Sequence, residues 1–160
     1  MIILQAEHDY TLLFKAKAVA KTAKNPQSFT MIFDPGAGTT ALDKQVAKNF
    51  GYTIRAGIDG DVSTVTGDIK PEYTVIPNLI LNDVGLGPVF AHVFEFPKGL
   101  ALRTSALLGM NVLSWFKISI DCQWDKERQR MAPSLSFKAF FSELIVLDIM
   151  DAGVPASEAM

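Results

Sequence analysis

The segment Phe29–Thr40 constrains the fold of this chain more than any other part of its sequence. It reads Phe-Thr-Met-Ile-Phe-Asp-Pro-Gly-Ala-Gly-Thr-Thr, an apolar strand that stops at an acid and enters a glycine-rich turn. This order places the carboxylate of Asp34 at the end of a rigid strand, where catalytic carboxylates are often held. The same residues also suit an ordinary turn, because Asp caps turns, Pro35 fixes φ and Gly36 accepts positive φ.

The composition excludes several classes of protein. The chain has 160 residues, of which 49% are hydrophobic and 20% are charged, so it contains enough apolar material for a folded core. Its 15 basic and 17 acidic residues give a net charge of −2 without a basic cluster, which predicts no nucleic-acid partner. Two histidines and one cysteine are too few for a zinc-type ligand set, so we expect no metal and no cofactor. Cys122 is expected to be a buried core residue.

The sequence also lacks the signals of export and membrane insertion. Its first residues have neither the basic region nor the long apolar region of a secretory signal. The most apolar stretch, Ala139–Met150, is too short to span a bilayer and carries Glu143 and Asp148. We therefore expect a cytoplasmic protein without a membrane partner.

The spacing of apolar residues predicts a mainly β protein. The predicted strands are Tyr10–Lys21, Phe29–Phe33, Val62–Thr66, Tyr73–Leu81, Val89–Phe96 and Phe116–Asp121. The first two are expected to form a hairpin that delivers Asp34. Many short strands at close spacing, with one or two short helices, are typical of a β-barrel-like domain.

Two segments have the spacing of helices. Leu42, Val46 and Phe50 recur every four residues, which predicts a helix over Ala41–Phe50, capped by Thr39 or Thr40 and ended by Gly51. Leu135–Met150 is apolar on most faces and fits either a buried helix or a strand followed by a helix. The small, polar residues Ala152–Met160 are predicted to be a frayed tail.

A second segment, downstream of Asp34, changes the interpretation of the first. It reads Leu107-Leu-Gly-Met-Asn-Val-Leu113 and is followed by Ile118-Ser-Ile-Asp121. In this order and at this spacing, the two motifs resemble those of the retropepsin-like aspartic peptidases over about Tyr10–Asp125. The resemblance implies a closed, barrel-like acid-protease fold over residues 10–131. A leader (1–9) would precede this domain, and an apolar segment with a tail (132–160) would follow it.

The resemblance also implies roles for individual residues. Asp34 would be catalytic and Pro35, Gly36 and Ala37 would form its active-site loop. The supporting motif Leu107, Leu108 and Gly109 would pass beneath this loop, with Gly109 permitting a close backbone approach. A hairpin over Val62–Lys70 would be the flap that covers substrate, with candidate residues Thr64, Val65, Thr66 and Gly67. From the residues alone, the same segments also fit a core strand with a glycine kink and a plain β-hairpin.

The chain has one such Asp-x-Gly motif, and the resemblance therefore implies a homodimer that hydrolyses a peptide or protein substrate. A water between two Asp34 carboxylates would be the nucleophile. The family has Thr or Ser where this chain has Pro35, and the hydroxyl lost there would bond across the dimer axis. Ala37 also supplies no hydroxyl to Asp34, which predicts a less acidic pH optimum than a hydroxyl residue would give.

Three functions therefore remain open at the level of the sequence. The first is an active, homodimeric aspartic endopeptidase. The second is a catalytically inactive retropepsin-like module for binding or dimerisation, which Pro35 favours. The third is an unrelated β-barrel binding domain, in which Asp34 would lie far from Gly109.

Overall fold

The computed structural model describes residues 12–57, 62–64, 67–126, 129–139 and 144–148. Its strands are β1 Leu13–Ala18, β2 Gln27–Phe33, β3 Ala41–Asp43, β4 Val62–Thr64, β5 Gly67–Ile69, β6 Glu72–Ile76, β7 Leu79–Leu81, β8 Val84–Gly85, β9 Val89–Phe94, β10 Ala106–Leu108, β11 Phe116–Asp125, β12 Arg130–Ala139 and β13 Leu144–Asp148. Its helices are α1 Lys44–Asn49, α2 Lys98–Ala101 and α3 Met110–Leu113. The predicted leader (1–9) and frayed tail (152–160) lie outside the described residues.

Eight strands form one curled sheet, a half-barrel in the order β6-β9-β3-β10-β2-β1-β7-β8. The mainly β prediction is confirmed, with three short helices in the described residues where one or two were expected. β2 pairs antiparallel with β1, as the predicted hairpin requires, and parallel with β10. The strand that leads to Asp34 is therefore held on both sides, near the centre of the sheet.

The core lies on one face of this sheet. Alternate residues of β1 point inward, so Phe14, Ala16 and Ala18 are buried while Lys15 and Lys17 are exposed. Met31 of β2 and Leu108 of β10 are fully buried beside them. Burying a large apolar side chain stabilises a fold by about 1.5–3 kcal/mol, so these central strands are strongly fixed.

The prediction of a helix over Ala41–Phe50 is wrong in its first three residues. Ala41–Asp43 is β3, which pairs parallel with β9 and antiparallel with β10. The helix begins at Lys44 and its cap is Asp43, whose Oδ1 accepts bonds from the backbone N–H groups of Gln45 (2.9 Å) and Val46 (3.4 Å). Neither Thr39 nor Thr40 caps the helix, because the sheet pairing of β3 displaces the helix start. The helix ends before Gly51, as predicted.

The C-terminal segment is also extended where a helix was considered. β11, β12 and β13 form an antiparallel sheet, with Leu135 opposite Leu147 and Phe137 opposite Ile145. Leu135 and Phe137 are buried while Lys138 is exposed, which is the alternation of a strand. The expected boundary between residues 131 and 132 falls within β12.

The second sheet packs against the C-terminal end of β2, the strand that leads to Asp34. The ring of Phe137 meets Phe33 edge-on, with centroids 6.1 Å apart, and meets Phe116 edge-on at 5.6 Å. Edge-to-face aromatic pairs contribute about 0.5–1.5 kcal/mol beyond their buried area. Phe33 immediately precedes Asp34, so the second sheet supports the strand end that carries the acid.

Candidate active site

Asp34 lies half-buried directly after β2. Its backbone N–H donates to the carbonyl of Leu108 (3.1 Å), which extends the pairing of β2 with β10 by one residue. Its side-chain Oδ1 accepts a bond from the N–H of Gly36 (3.0 Å), and its carbonyl accepts one from Ala37 (3.1 Å). Asp34 therefore has the hydrogen bonds of a turn-forming acid, while its neighbour Leu108 belongs to the second motif.

Gly109 passes directly beneath the loop that follows Asp34. A Cβ added at Gly109 would lie 2.4 Å from the carbonyl carbon of Thr39 and 2.6 Å from the backbone nitrogen of Thr40. Any side chain would collide with backbone at these distances, so the close approach expected at this glycine is present. The two motifs therefore meet in space. This contradicts the hypothesis of an unrelated β-barrel binding domain, in which Asp34 would lie far from Gly109.

Helix α3 fixes the loop from below. The N–H of Met110 donates to the carbonyl of Ala37 (2.8 Å), and the N–H of Asn111 donates to the carbonyl of Gly38 (3.1 Å). The first N–H groups of a helix have no partner within the helix, and the loop supplies carbonyl oxygens to them. The segment from Asp34 to Gly38 is thus bound by β10 at its start and by α3 at its end.

Sequence reasoning missed a side-chain pair behind the loop. Thr40 is fully buried, and both its N–H (2.7 Å) and its hydroxyl (2.8 Å) donate to Oδ1 of Asn111. The hydroxyl of Thr40 accepts a bond from the N–H of Gly109 (3.2 Å), and Nδ2 of Asn111 donates to the carbonyl of Phe90 (2.9 Å). The available signal was the asparagine two residues after the glycine of the second motif.

The remaining predicted residues lie either in the solvent-accessible loop beside Asp34 or in the strand β10 beneath it. Pro35 and Gly36 are exposed and Ala37 is half-buried, so these loop residues border solvent beside Asp34. Leu107 pairs with Ile32, and Leu108, which is fully buried, pairs with Phe33. The leucines thus support the strand under the loop, while the loop itself remains accessible.

The candidate flap is a hairpin that forms its own two-stranded sheet. β4 pairs with β5 from Val62 opposite Ile69 to Thr64 opposite Gly67, so Gly67 begins β5 rather than occupying the turn. Val65 and Thr66, the other candidates, lie outside the described residues. The hairpin is therefore separate from the eight-stranded sheet, unlike a plain hairpin within a barrel.

The base of this hairpin is tightly pinned. Arg55 and Tyr73 exchange two backbone hydrogen bonds, each 2.9 Å long. A Cβ added at Gly57 would lie 2.1 Å from the carbonyl oxygen of Pro71, so the chain segments entering and leaving the hairpin are in direct backbone contact. The two ends of the hairpin are therefore held together by backbone contacts at its base.

Two side chains have shifted pKa values, that of His92 on β9 and that of Lys44 at the start of α1. His92 opposes both Ala41 and Tyr73, its backbone N–H donates to the carbonyl of Thr40 (2.9 Å), and burial lowers the pKa of its imidazole. On the neighbouring surface, Glu72 accepts a hydrogen bond from Lys44 and raises the pKa of that ammonium group. Both shifts have local structural causes.

Within the described residues, no group of three His, Cys, Asp or Glu side chains is arranged to hold a metal ion. Cys122 is half-buried rather than a core residue, because it lies on β11 opposite Pro133, beyond the buried Leu135 and Phe137 of β12. Among the described helices, none is long and apolar enough to cross a membrane.

Comparison with known proteins gives the family. The family model described as aspartyl protease matches residues 20–112, more than half of the 160-residue chain. No curated protein sequence matches the chain. The crystal structure of the retroviral protease-like domain of Ddi1 from Leishmania major is similar, with 13% identity, a TM-score of 0.49, and coverage of 88% of this chain and 94% of that one. Because the family match includes both the Asp34 loop and the Gly109 motif, the chain belongs to the aspartyl protease family.

Proposed function

We propose that this protein is an aspartic endopeptidase that acts as a homodimer, with Asp34 of each copy contributing one catalytic carboxylate. The observation that carries the proposal is the placement of Asp34 at the end of a central strand, with its loop fixed by Leu108 and α3. Oδ1 is held by Gly36, and no hydrogen bond from the described residues reaches Oδ2. This leaves one carboxylate oxygen available to a water molecule.

The proposed chemistry follows from bringing two such carboxylates together. Close like charges do not both ionise readily, so the pair shares one proton and titrates as a unit. The ionised Asp34 takes a proton from the water as it attacks the scissile carbonyl carbon, and the protonated Asp34 donates to the carbonyl oxygen. The resulting tetrahedral diol then collapses: its C–N bond breaks as the carboxylate pair passes a proton to the amine nitrogen, so hydrolysis consumes one water and forms no covalent enzyme intermediate.

A two-fold dimer is part of the proposal because the chain carries one Asp-x-Gly motif of this kind. Pro35 provides no hydroxyl for a bond across the dimer axis, so other surfaces would have to hold the two copies together. The C-terminal segment is one such candidate. The side chains of Leu135 and Phe137 are buried within their own protomer and pack its core, so any contact would use other parts of that segment.

The β4–β5 hairpin is proposed as the flap, including Thr64, Val65, Thr66 and Gly67. Its support is the pinned base at Gly57 and Pro71 together with its separation from the eight-stranded sheet. Closing such a hairpin over a bound peptide would exclude water from the carboxylate pair and strengthen the electrostatic interactions there. Deleting the two residues between Thr64 and Gly67 should abolish cleavage while the protein remains folded.

The deciding experiment is cleavage of an unfolded protein substrate between about pH 3.5 and pH 7. Wild type is compared with Asp34→Asn and with the matched control Asp83→Asn. Asp83 is an exposed turn residue with φ of 66°, where asparagine is well tolerated, and it forms only a surface ion pair with Lys17. Cleavage by wild type and Asp83→Asn, but not by a folded Asp34→Asn variant, is the expected result.

The second candidate function is an inactive module for binding or dimerisation, and Pro35 is the observation that favours it. The absence of cleavage by a folded, dimeric wild-type protein over the whole pH range would select this function. A wild-type protein that stays monomeric by light scattering at micromolar concentration would instead contradict the proposed mechanism, because a single Asp34 cannot form the carboxylate pair.

A further inference from the structure

We propose that Asn111 is a positioning residue for the reaction, which holds the loop behind Asp34 in its working geometry. This inference rests on the proposed function, since it assigns a role within the same site. Asn111 does not touch Asp34 directly. It acts through Thr40, the residue at which the active-site loop enters β3.

The hydrogen bonds around Asn111 form a chain in which each group donates to the next, from Gly109 through Thr40 and Asn111 to Phe90. The N–H of Gly109 donates to the hydroxyl of Thr40, and that hydroxyl donates to Oδ1 of Asn111. The backbone N–H of Thr40 donates to the same oxygen, and Nδ2 of Asn111 donates to the carbonyl of Phe90. The oxygen of the carboxamide faces only donors and its nitrogen faces an acceptor, so its surroundings determine which way the group is oriented.

The far end of this network is a firm anchor. Phe90 belongs to β9, pairs with Val75 of β6, and stacks its ring on Tyr73 with centroids 5.5 Å apart. Thr40, at the near end, is 0% exposed and its carbonyl is bound by the N–H of His92. Asn111 therefore links the end of the active-site loop to β9 through its side chain, in addition to the backbone bond between Thr40 and His92.

No other common side chain reproduces this contact set at the same length. An aspartate accepts both bonds from Thr40, but when ionised it has no proton to donate to the carbonyl of Phe90 and places two acceptor oxygens opposite each other. An alanine leaves the buried N–H and hydroxyl of Thr40 without their acceptor. The two changes thus remove different parts of the network.

The test compares Asn111→Asp, Asn111→Ala and the control Asn78→Asp with wild type. Asn78 uses its Oδ1 to accept a bond from the N–H of Gly87 (2.9 Å) in a turn remote in sequence from both motifs, a contact that a carboxylate retains. For Asn111→Asp we expect kcat to fall about 10–100-fold near neutral pH, as displacements of about 1 Å do in active sites, with KM nearly unchanged. The ratio of variant to wild-type kcat should rise as the pH falls, because protonation of the new carboxyl restores a donor to Phe90.

A pH-independent ratio, or a kcat equal to that of wild type, would overturn the proposal. So would an equal loss in Asn78→Asp. Amide hydrogen exchange provides a readout that does not require activity, and therefore separates this inference from the proposed function. In Asn111→Ala the amide of Thr40 should exchange at least about 10-fold faster, while that of Phe14 in β1 is unchanged. Equal acceleration at both amides, or none at Thr40, would show that Asn111 has no local role.

Discussion

Replacing Gly109 with alanine tests whether the contact between the two motifs determines the geometry of the site. The added methyl group would lie 2.4 Å from the carbonyl carbon of Thr39, 2.6 Å from its oxygen and 2.6 Å from the nitrogen of Thr40. An ordinary contact between a Cβ and such atoms is about 3.4–4 Å, so about 1 Å of movement is required. The atoms in the way are backbone, and they cannot move aside by changing a rotamer.

The clash has two consequences of different size. Over-packing of this kind costs about 1–3 kcal/mol, which for a chain of this length lowers Tm by roughly 2–12 °C. In addition, displacement of the Asp34 loop by about 1 Å would lower the catalytic rate of the variant roughly 100-fold. Gly109 has φ of −96° and ψ of 178°, an extended conformation that alanine adopts freely, so the loss is attributable to the collision rather than to backbone strain.

Gly99 offers a matched control, since a Cβ added there meets no atom within 4 Å. It lies inside helix α2, where alanine is favoured over glycine by up to about 1 kcal/mol. Urea denaturation and peptide cleavage should therefore show a destabilised, nearly inactive Gly109→Ala and a fully active Gly99→Ala of equal or greater stability. A Gly109→Ala variant within about 0.5 kcal/mol of wild type and with full activity would refute the argument.

Three further changes have defined outcomes. Gly57→Ala forces its new methyl group against the carbonyl oxygen of Pro71, so limited proteolysis should cut the β4–β5 hairpin faster while urea denaturation shows the loss of about 1–3 kcal/mol expected from over-packing. Burial depresses the pKa of His92 in the folded state, so its contribution to stability is complete above about pH 6.5 and declines as the pH falls toward the folded pKa. The unfolding free energy of His92→Gln should accordingly lose less between pH 7 and pH 5 than that of wild type; an equal loss would contradict this. Pro35→Thr restores a hydroxyl at the proposed dimer axis and should lower the dimer Kd in sedimentation experiments, by about tenfold for each 1.4 kcal/mol gained.

The features of this fold that can be predicted from the sequence are those that depend on residues close together along the chain. An apolar run ending at Asp34 and a glycine flanked by leucines are local patterns, and the strand end and the tight crossing are both present. By contrast, the period-four pattern of Leu42, Val46 and Phe50 predicts a helix that starts three residues too early. Whether Ala41–Asp43 is strand or helix is decided by β9 and β10, which lie far along the chain and contribute no local signal.

The same limit explains why the hydrogen bonds of the site were less predictable than its backbone. Asn111 stands in a segment whose apolar neighbours suggest only a core element, and its partners Thr40 and Phe90 are separated from it by 71 and 21 positions. A polar residue in such a segment signals that a buried partner exists, but not which one. The C-terminal strands were ambiguous because a continuous apolar run fits a buried strand and a buried helix equally well.

Pro35 is the clearest departure from the family pattern, and the loop geometry limits what it can change. The backbone hydrogen bonds that shape the loop use the N–H groups of Asp34, Gly36 and Ala37, so a residue without an N–H at position 35 costs the protomer none of them. Proline also restricts φ in the unfolded chain, which favours the folded turn when the native φ suits it. In the proposed homodimer, its cost would therefore fall on the contacts between the two protomers. A weak dimer with an intact Asp34 loop would be inactive at low concentration and active at high concentration, whereas a disrupted loop would be inactive at any concentration.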